Sequence, residues 1–278
     1  MYYVFIKGKE EINMDRIEIK GKVNTAICYA KVVENEAIEQ IRRMCDYPMT
    51  EGAKIRIMPD VHSGKGCTIG TTMTIKDRVV PNVVGVDIGC GMYTVCLGKG
   101  EIDFAKVDEA AHFIPSGGNV WEGRIERFDL TKLKCYRKLK DTRRLERSLG
   151  TLGGGNHFIE IDDASDGNKY LIIHSGSRNL GKQVADYYQN LAIDLDKGLE
   201  TYFVAREELI KTYKEQGRRK EIQQALKELE KTRYENEPQN PEDLCYLYGK
   251  YMEDYLFDVE ICQNFAKRNR EKMAEIIL

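Results

Sequence analysis

No histidine follows position 174 in this 278-residue chain, and no two cysteines stand in a C-x-x-C pair. The eight cysteines occur singly, at 28, 45, 67, 90, 96, 135, 245 and 262. So dispersed, they read as reduced cytosolic thiols and not as a disulfide framework. The opening "MYYVFIKGKEEINM" has no apolar leader of the secretory kind. No apolar run is long enough to span a bilayer, so no membrane role is expected and the location expected is cytoplasmic. There is no strong charge of either sign: the formal net charge is -2. Any nucleic-acid partner must therefore be held by a local patch. With 42% hydrophobic and 32% charged residues, what remains is a soluble globular composition with a sizeable core.

Glycine is nearly absent from the last third. Nineteen of the 24 lie between Gly52 and Gly181, and all four histidines (62, 112, 157, 174) lie there too. The chain thus divides into a strand-and-loop part and a helical part. Alternation and β-branching predict strands over 54–58, 67–75, 92–97, 158–162 and 169–174. Helices are predicted over 103–113, 130–149 and 182–195. A long charged helix or helical pair follows over 203–234, broken near Gly217. After the turn "NEPQNPED" the chain is helical from Asp243. Its end, "VEICQNFAKRNREKMAEIIL", is amphipathic and stops on three apolar residues without a cap. Such a helix is docked at its last turn or interrupted, and the expectation is a single domain that is C-terminally incomplete.

Four glycine-rich patches carry chemistry: "PDVHSGKG" (59–66), "VGVDIGCGM" (84–92), "GGGNHFIE" (153–160) and "HSGSRNLG" (174–181). Asp87 and Cys90 sit three apart in a Gly-flanked turn that can aim both at one centre. The alternative is a small buried thiol beside a turn-capping aspartate. His157 opens one strand and His174 closes the next. If those strands pair as a hairpin across "DASDGN", both imidazoles share an edge. Asp, Cys, His and His then make a transition-metal ligand set, with the thiolate a plausible bridge between two ions. Ser175, Ser177 and Arg178 fit an anion nest and a phosphate clamp, or equally an N-cap with an exposed arginine. "PDVHSGKG" lacks the Walker spacing. Residues 131–147 carry eight basic and two acidic residues directly before the triple glycine. They form a solvated helix face or a lure for a polyanion.

With "PDVHSGKG", "VVPNVVGVDIGCGM", "HFIPSGGN", "LGGGNHFIEI" and "IIHSGSRNLG" in that order, the sequence resembles the RtcB family of RNA ligases over about residues 50 to 278. The resemblance implies an α+β fold with mixed sheets around a metal site, and a helical insertion over 198–240. It implies GTP- and manganese-dependent joining of an RNA 3′-phosphate or 2′,3′-cyclic phosphate end to a 5′-hydroxyl end, in tRNA splicing or RNA repair. A possible activating protein partner belongs to the same picture. By position, Asp87, Cys90 and His157 would hold one of two Mn2+ ions, and Cys90 and His174 the other. Asn156 would hold a GTP phosphate oxygen, with Phe158, Ile159 and Glu160 forming the adjoining nucleotide pocket. Asp60 would lie near the leaving or attacking group, and Arg178 would meet RNA or triphosphate. Ligand chemistry alone would favour zinc or iron over manganese.

In the family a further metal-ligand histidine and the histidine that takes the guanylate come later than any histidine here. That leaves two other readings open: a binuclear metal-dependent phosphoesterase, and a non-catalytic RNA-binding fragment.

Overall fold

The computed structural model describes residues 16–64 and 66–278, leaving aside the side chains of 234 and 235. The stretch read for a leader and Lys65 of the first glycine-rich patch lie outside the described residues. The fold is mixed α+β, and the chain forms two compact units, one up to Lys76 and one from Asp77.

The first unit contains β1 (Ile17–Lys20), β2 (Thr25–Cys28), α1 (Asn35–Cys45), β3 (Ile55–His62) and β4 (Ile69–Met73), in one sheet of order β1-β2-β3-β4. β2 and β3 are parallel, which demands a crossover, and α1 supplies it. Ala37, Ile41, Met44 and Cys45 recur at helical spacing on α1 and are buried. Ala26, Cys28, Ile55 and Ile57 are the buried positions of the two central strands. Beyond Ile57 the register with β4 shifts, and Pro59 and Asp60 are exposed.

The second unit begins with β5 (Arg78–Val79), α2 (Pro81–Val84), β6 (Gly91–Gly98) and α3 (Phe104–His112). It continues through α4 (Thr142–Glu146), β7 (Phe158–Asp163), β8 (Lys169–Ser175) and α5 (Arg178–Asp196). α6 (Leu199–Glu215) and α7 (Ile222–Glu235) form a hairpin that breaks at Gly217, where φ is +74°. β9 (Leu247–Tyr248) pairs with β5, and α8 (Gly249–Ile277) closes the unit.

The sheet that matters for the site is antiparallel, in the order β6-β8-β7. In β8 every second residue (Leu171, Ile173, Ser175) is buried. α8 packs against β6 and β8, and Leu171 and Ile173 meet its Met273 and Ala274. Each such fully buried aliphatic side chain contributes on the order of 1.5–3 kcal/mol. The larger core joins α5 (Leu180, Val184, Tyr188) to α8 (Tyr255, Cys262, Phe265).

One helix expected from the sequence does not form. Residues 130–149 are two single 3₁₀ turns, Leu130–Lys132 and Tyr136–Lys138, followed by the short α4. The backbone amides of Lys134 and Cys135 donate to the buried carboxylate of Asp258 on α8, at 2.8 and 3.0 Å. A tertiary acceptor thus takes amides that a helix would have used.

Candidate metal centre

The antiparallel order brings three chain ends to one edge of the sheet. β8 ends where β6 and β7 begin: Met92 and Phe158 both pair with His174. Cys90 stands just before β6 and His157 just before β7. The hairpin expected across "DASDGN" is therefore present, and it puts both imidazoles beside the turn that carries Asp87 and Cys90.

The distances are short. Sγ of Cys90 is 3.1 Å from Nε2 of His174 and 3.6 Å from Nε2 of His157. Nε2 of His157 is 3.0 Å from Oδ2 of Asp87. The ligand atoms of Asp87, Cys90 and His157 all lie within 4.8 Å of one another. The two imidazole rings meet edge to face, 5.3 Å between centroids, and Phe158 packs on His174 at the same separation.

Each histidine is oriented from behind. Nδ1 of His157 donates to the carbonyl of Leu152 at 2.9 Å, and Nδ1 of His174 to that of Asn156 at 3.1 Å. A carbonyl only accepts, so each Nδ1 carries a proton and each Nε2 is the atom turned toward Asp87 and Cys90. Lone pairs facing a carboxylate and a sulfur need a proton or a cation between them. Burial, then the charge of Asp87, push the Cys90 thiol up to about 12. A divalent ion among Asp87, Cys90 and His157 would satisfy these three and deprotonate the thiol, while His174 reaches the sulfur from outside that group. The donor set therefore fits a divalent transition metal.

Two glycines make the approach possible. A side chain at Gly176 would collide with the carboxylate of Asp87. One at Gly153 (φ +93°) would collide with the guanidinium of Arg178. At the first of the three consecutive glycines, then, it is an arginine that lies against bare backbone. Nη2 of Arg178 donates to the carbonyl of Gly117 at 2.8 Å and Nε to Oγ1 of Thr151 at 3.3 Å. Arg178 opens α5 with φ +59°, a strained conformation for a side-chain-bearing residue. Burial pulls its pKa down, against the charge of Asp87. Nothing stands close over Gly155.

The residues expected to bind nucleotide share one strand and its approach. Asn156 is exposed at the turn before β7. Ile159 and Glu160 line an open groove of about 380 Å³ beside α3, with Phe104 and Val107 opposite. Asp60 lies on β3 of the first unit, exposed, its carbonyl bonded to Nδ1 of His62 at 2.8 Å.

Two supports of the centre escape the sequence reading. Asn269 of α8 is fully buried. Its Oδ1 accepts from the amide of Thr151 at 3.0 Å, and its Nδ2 donates to the carbonyl of Thr151 and Oγ of Ser175, both at 3.1 Å. It ties the glycine loop to the end of β8. Next to it, Nη1 of Arg270 donates to the carbonyls of Gly89 and Ser175 at 2.8 and 2.6 Å. Burial lowers its pKa, while Cys90 and Asp87 favour its charge. The available signal was spacing: Asn269 continues the apolar stripe Cys262, Ala266, Met273, where a polar residue must have buried partners.

The model of the tRNA-splicing ligase RtcB family matches residues 40–116 and 122–278. The chain is similar to the RNA-splicing ligase RtcB of Escherichia coli (strain K12), 29% identical over 272 residues, covering 88% of this chain and 57% of that protein. It is also similar to the tRNA-splicing ligase RtcB of Archaeoglobus fulgidus, 26% identical over 227 residues, covering 62% and 46% respectively. The chain spans about half the length of the curated relatives it matches.

Proposed function

Because this chain belongs to the RtcB family, we propose that it builds the metal- and nucleotide-binding part of an RNA ligase. The reaction would join an RNA 3′-phosphate or 2′,3′-cyclic phosphate end to a 5′-hydroxyl end, using GTP. The observation that carries this reading is the position of Cys90, whose sulfur is within 3.6 Å of both His157 and His174. His174 reaches the sulfur but stands outside the Asp87, Cys90 and His157 group, which suits a second ion sharing Cys90.

Asp87, Cys90 and His157 would hold one ion, and Cys90 and His174 a second. Bound there, divalent ions, Mn2+ in this proposal, would neutralise phosphate charge during phosphoryl transfer. The chain's own groups do the positioning. The carbonyls of Leu152 and Asn156 keep the Nε2 atoms turned to the centre. Asn156 would offer its amide to a GTP phosphate oxygen, with Phe158, Ile159 and Glu160 shaping the rest of the pocket. Arg178, held flat on Gly153, would place positive charge beside the same phosphates. Asp60 is assigned to the leaving or attacking group. Eight cysteines without a C-x-x-C pair suit a reducing, cytoplasmic setting, and an activating protein partner is part of the proposal.

The test is calorimetric titration with GTP, with and without Mn2+. GTP should bind only when Mn2+ is present, and Cys90→Ala and His157→Ala should abolish it. Failure of the wild-type chain to bind GTP with Mn2+ would overturn the reading. So would Mn2+-dependent phosphoesterase activity that persists without a guanine nucleotide.

A further inference from the structure

We infer that residues 131–147 form a binding surface for a single-stranded RNA backbone that runs up to the metal centre, an inference that rests on reading that centre as part of an RNA ligase. In place of one helix, which would spread its side chains around a cylinder, the segment lies open against the core. Leu133, Cys135 and Leu145 are buried. Lys132, Lys134, Arg137, Lys138, Lys140 and Arg143 are all exposed.

The segment's own carboxylates do not neutralise these cations. The two acidic residues of the segment are engaged elsewhere: Asp141 caps α4 through the amide of Arg144, and Glu146 pairs with Arg124. Among the described residues, Lys132, Arg137, Lys138, Lys140 and Arg143 take part in no ion pair. An ordinary solvated face looks different. The hairpin of α6 and α7 carries nine basic and eight acidic residues over 199–235, against eight and two over 131–147.

The band also leads somewhere. Nη2 of Arg144 donates to the carbonyl of Gly118 at 2.6 Å. The neighbouring Gly117 receives Arg178 through its carbonyl, and its amide donates to the carbonyl of Gly153 at 2.7 Å. Gly153 opens the loop that carries Asn156 and His157. Hydrogen-bonded links thus run from Arg144, at the end of the basic segment, through Gly118 and Gly117 to the loop that carries the ligands. RNA suits it better than an acidic protein. Leu133, Cys135 and Leu145 point inward, Tyr136 and Leu139 are half-buried against the same core, and the exposed Phe257 alongside lies under Nζ of Lys134, 4.9 Å from its ring centroid, so the surface the segment offers is cationic. A line of unpaired lysines and arginines is what a phosphate backbone needs.

The experiment uses the full chain and a fluorescein-labelled single-stranded RNA of about 20 nucleotides ending in a 3′-phosphate. Anisotropy is read between about 50 and 200 mM salt. In the variant Arg137→Glu, Lys138→Glu, Lys140→Glu the affinity at the lowest salt should fall by about tenfold or more, and the slope of log K against log[salt] should flatten by about 2, from three lost contacts at roughly 0.7 each. Unchanged affinity and slope would overturn the inference. So would an equal loss in the control variant Arg219→Glu, Lys220→Glu, Lys227→Glu, which makes the same charge change on the hairpin. Polyglutamate that binds as tightly as the RNA and is lost with it would reassign the band to an acidic polypeptide. Mn2+ titration of the same variant separates the two readings. Intact metal binding with unchanged RNA affinity defeats the band alone, while band-dependent RNA binding without any Mn2+ site defeats the ligase reading and leaves the band standing.

Discussion

The Sγ of Cys90 lies 3.1 Å from Nε2 of His174, a residue 84 positions further along the chain. The pairing of Gly91 with Ser175 between β6 and β8 sets that contact. Register is rigid at a sheet edge backed by a packed helix, so the backbone next to Cys90 is held beside that of His174.

Cys96 provides the internal comparison. It is an exposed thiol on β6, paired with Tyr170. Cys90→Ser should weaken Mn2+ binding by about tenfold or more, the scale on which even outer partners of a metal matter. Cys96→Ser should leave it unchanged. Electron paramagnetic resonance of free Mn2+ measures both, and equal titrations would remove Cys90 from the ligand set.

The histidines make a second test. The family resemblance implies that a histidine takes the guanylate. Of the four here, His157 and His174 aim Nε2 at the cluster. His112 is exposed near Asp108 at the end of α3, and His62 lies in the first unit. Labelled GTP and Mn2+ should therefore leave no covalent band on this chain after denaturing electrophoresis. A stable phosphoramidate band would mean that one of these residues is a nucleophile and not a ligand.

Much of this edge was legible beforehand because its signals are local. Alternation marked β6, β7 and β8 to within a residue or two, and a glycine-flanked Asp-x-x-Cys turn and two strand-end histidines marked the ligands. The supports were not legible, because their partners are distant in sequence. Asn269 is one polar letter in a charged helix, and its value depends on Thr151 and Ser175, over 90 residues away. The same blindness made 130–149 read as a helix. Its composition permits one, but Asp258, over 120 residues on, and Gln183 take backbone groups that a helix would have used.

Asn269→Ala would strand the amide of Thr151 and lose the two bonds that Nδ2 donates to Thr151 and Ser175. With about 1–3 kcal/mol for each buried group left unpaired, a loss of about 3 kcal/mol is expected from urea unfolding. Mn2+ affinity should fall as well, since Thr151 and Ser175 flank the two histidine-bearing strand ends. Asn269→Asp keeps the acceptor for Thr151 and should recover part of the stability. A metal affinity unmoved in Asn269→Ala would show that the centre holds its geometry without α8.

Acid stability depends on the other face of α8. Hydrogen bonds from Arg268 and then Lys272 hold the Glu275 carboxyl down at about 2. Arg268 likewise lowers Glu126. A folded-state value below the unfolded one means that the unfolded chain takes up the proton first. The stabilisation is thus present above the ordinary carboxylate range, near 4.3, and fades as pH falls toward 2. Glu275 is fully exposed, so the effect belongs to low salt. Glu275→Gln should flatten the fall of stability between about pH 5 and 2. An identical pH profile for both proteins would show the network to be inert.

Asp258 is the residue whose loss should release the basic band. Its two oxygens hold the amides of Lys134 and Cys135 and the hydroxyl of Tyr188, the last at 2.8 Å, and it is wholly buried. Burial, then the charge of Asp258, raise the pKa of Tyr188, which keeps the phenol a donor. Asp258→Ala leaves two buried donors and a half-buried one without an acceptor, a cost of about 3 kcal/mol. The loss should be local before it is global, because Lys134 and Cys135 are fixed by this carboxylate while β8 is fixed by its ladder. Hydrogen exchange in the variant should therefore quicken at Lys134 and Cys135 and leave Leu171 and Ile173 protected. If the core strand loosens in step with the band, Asp258 serves the whole core, and the exposed lysines owe their placement to something other than this buried carboxylate.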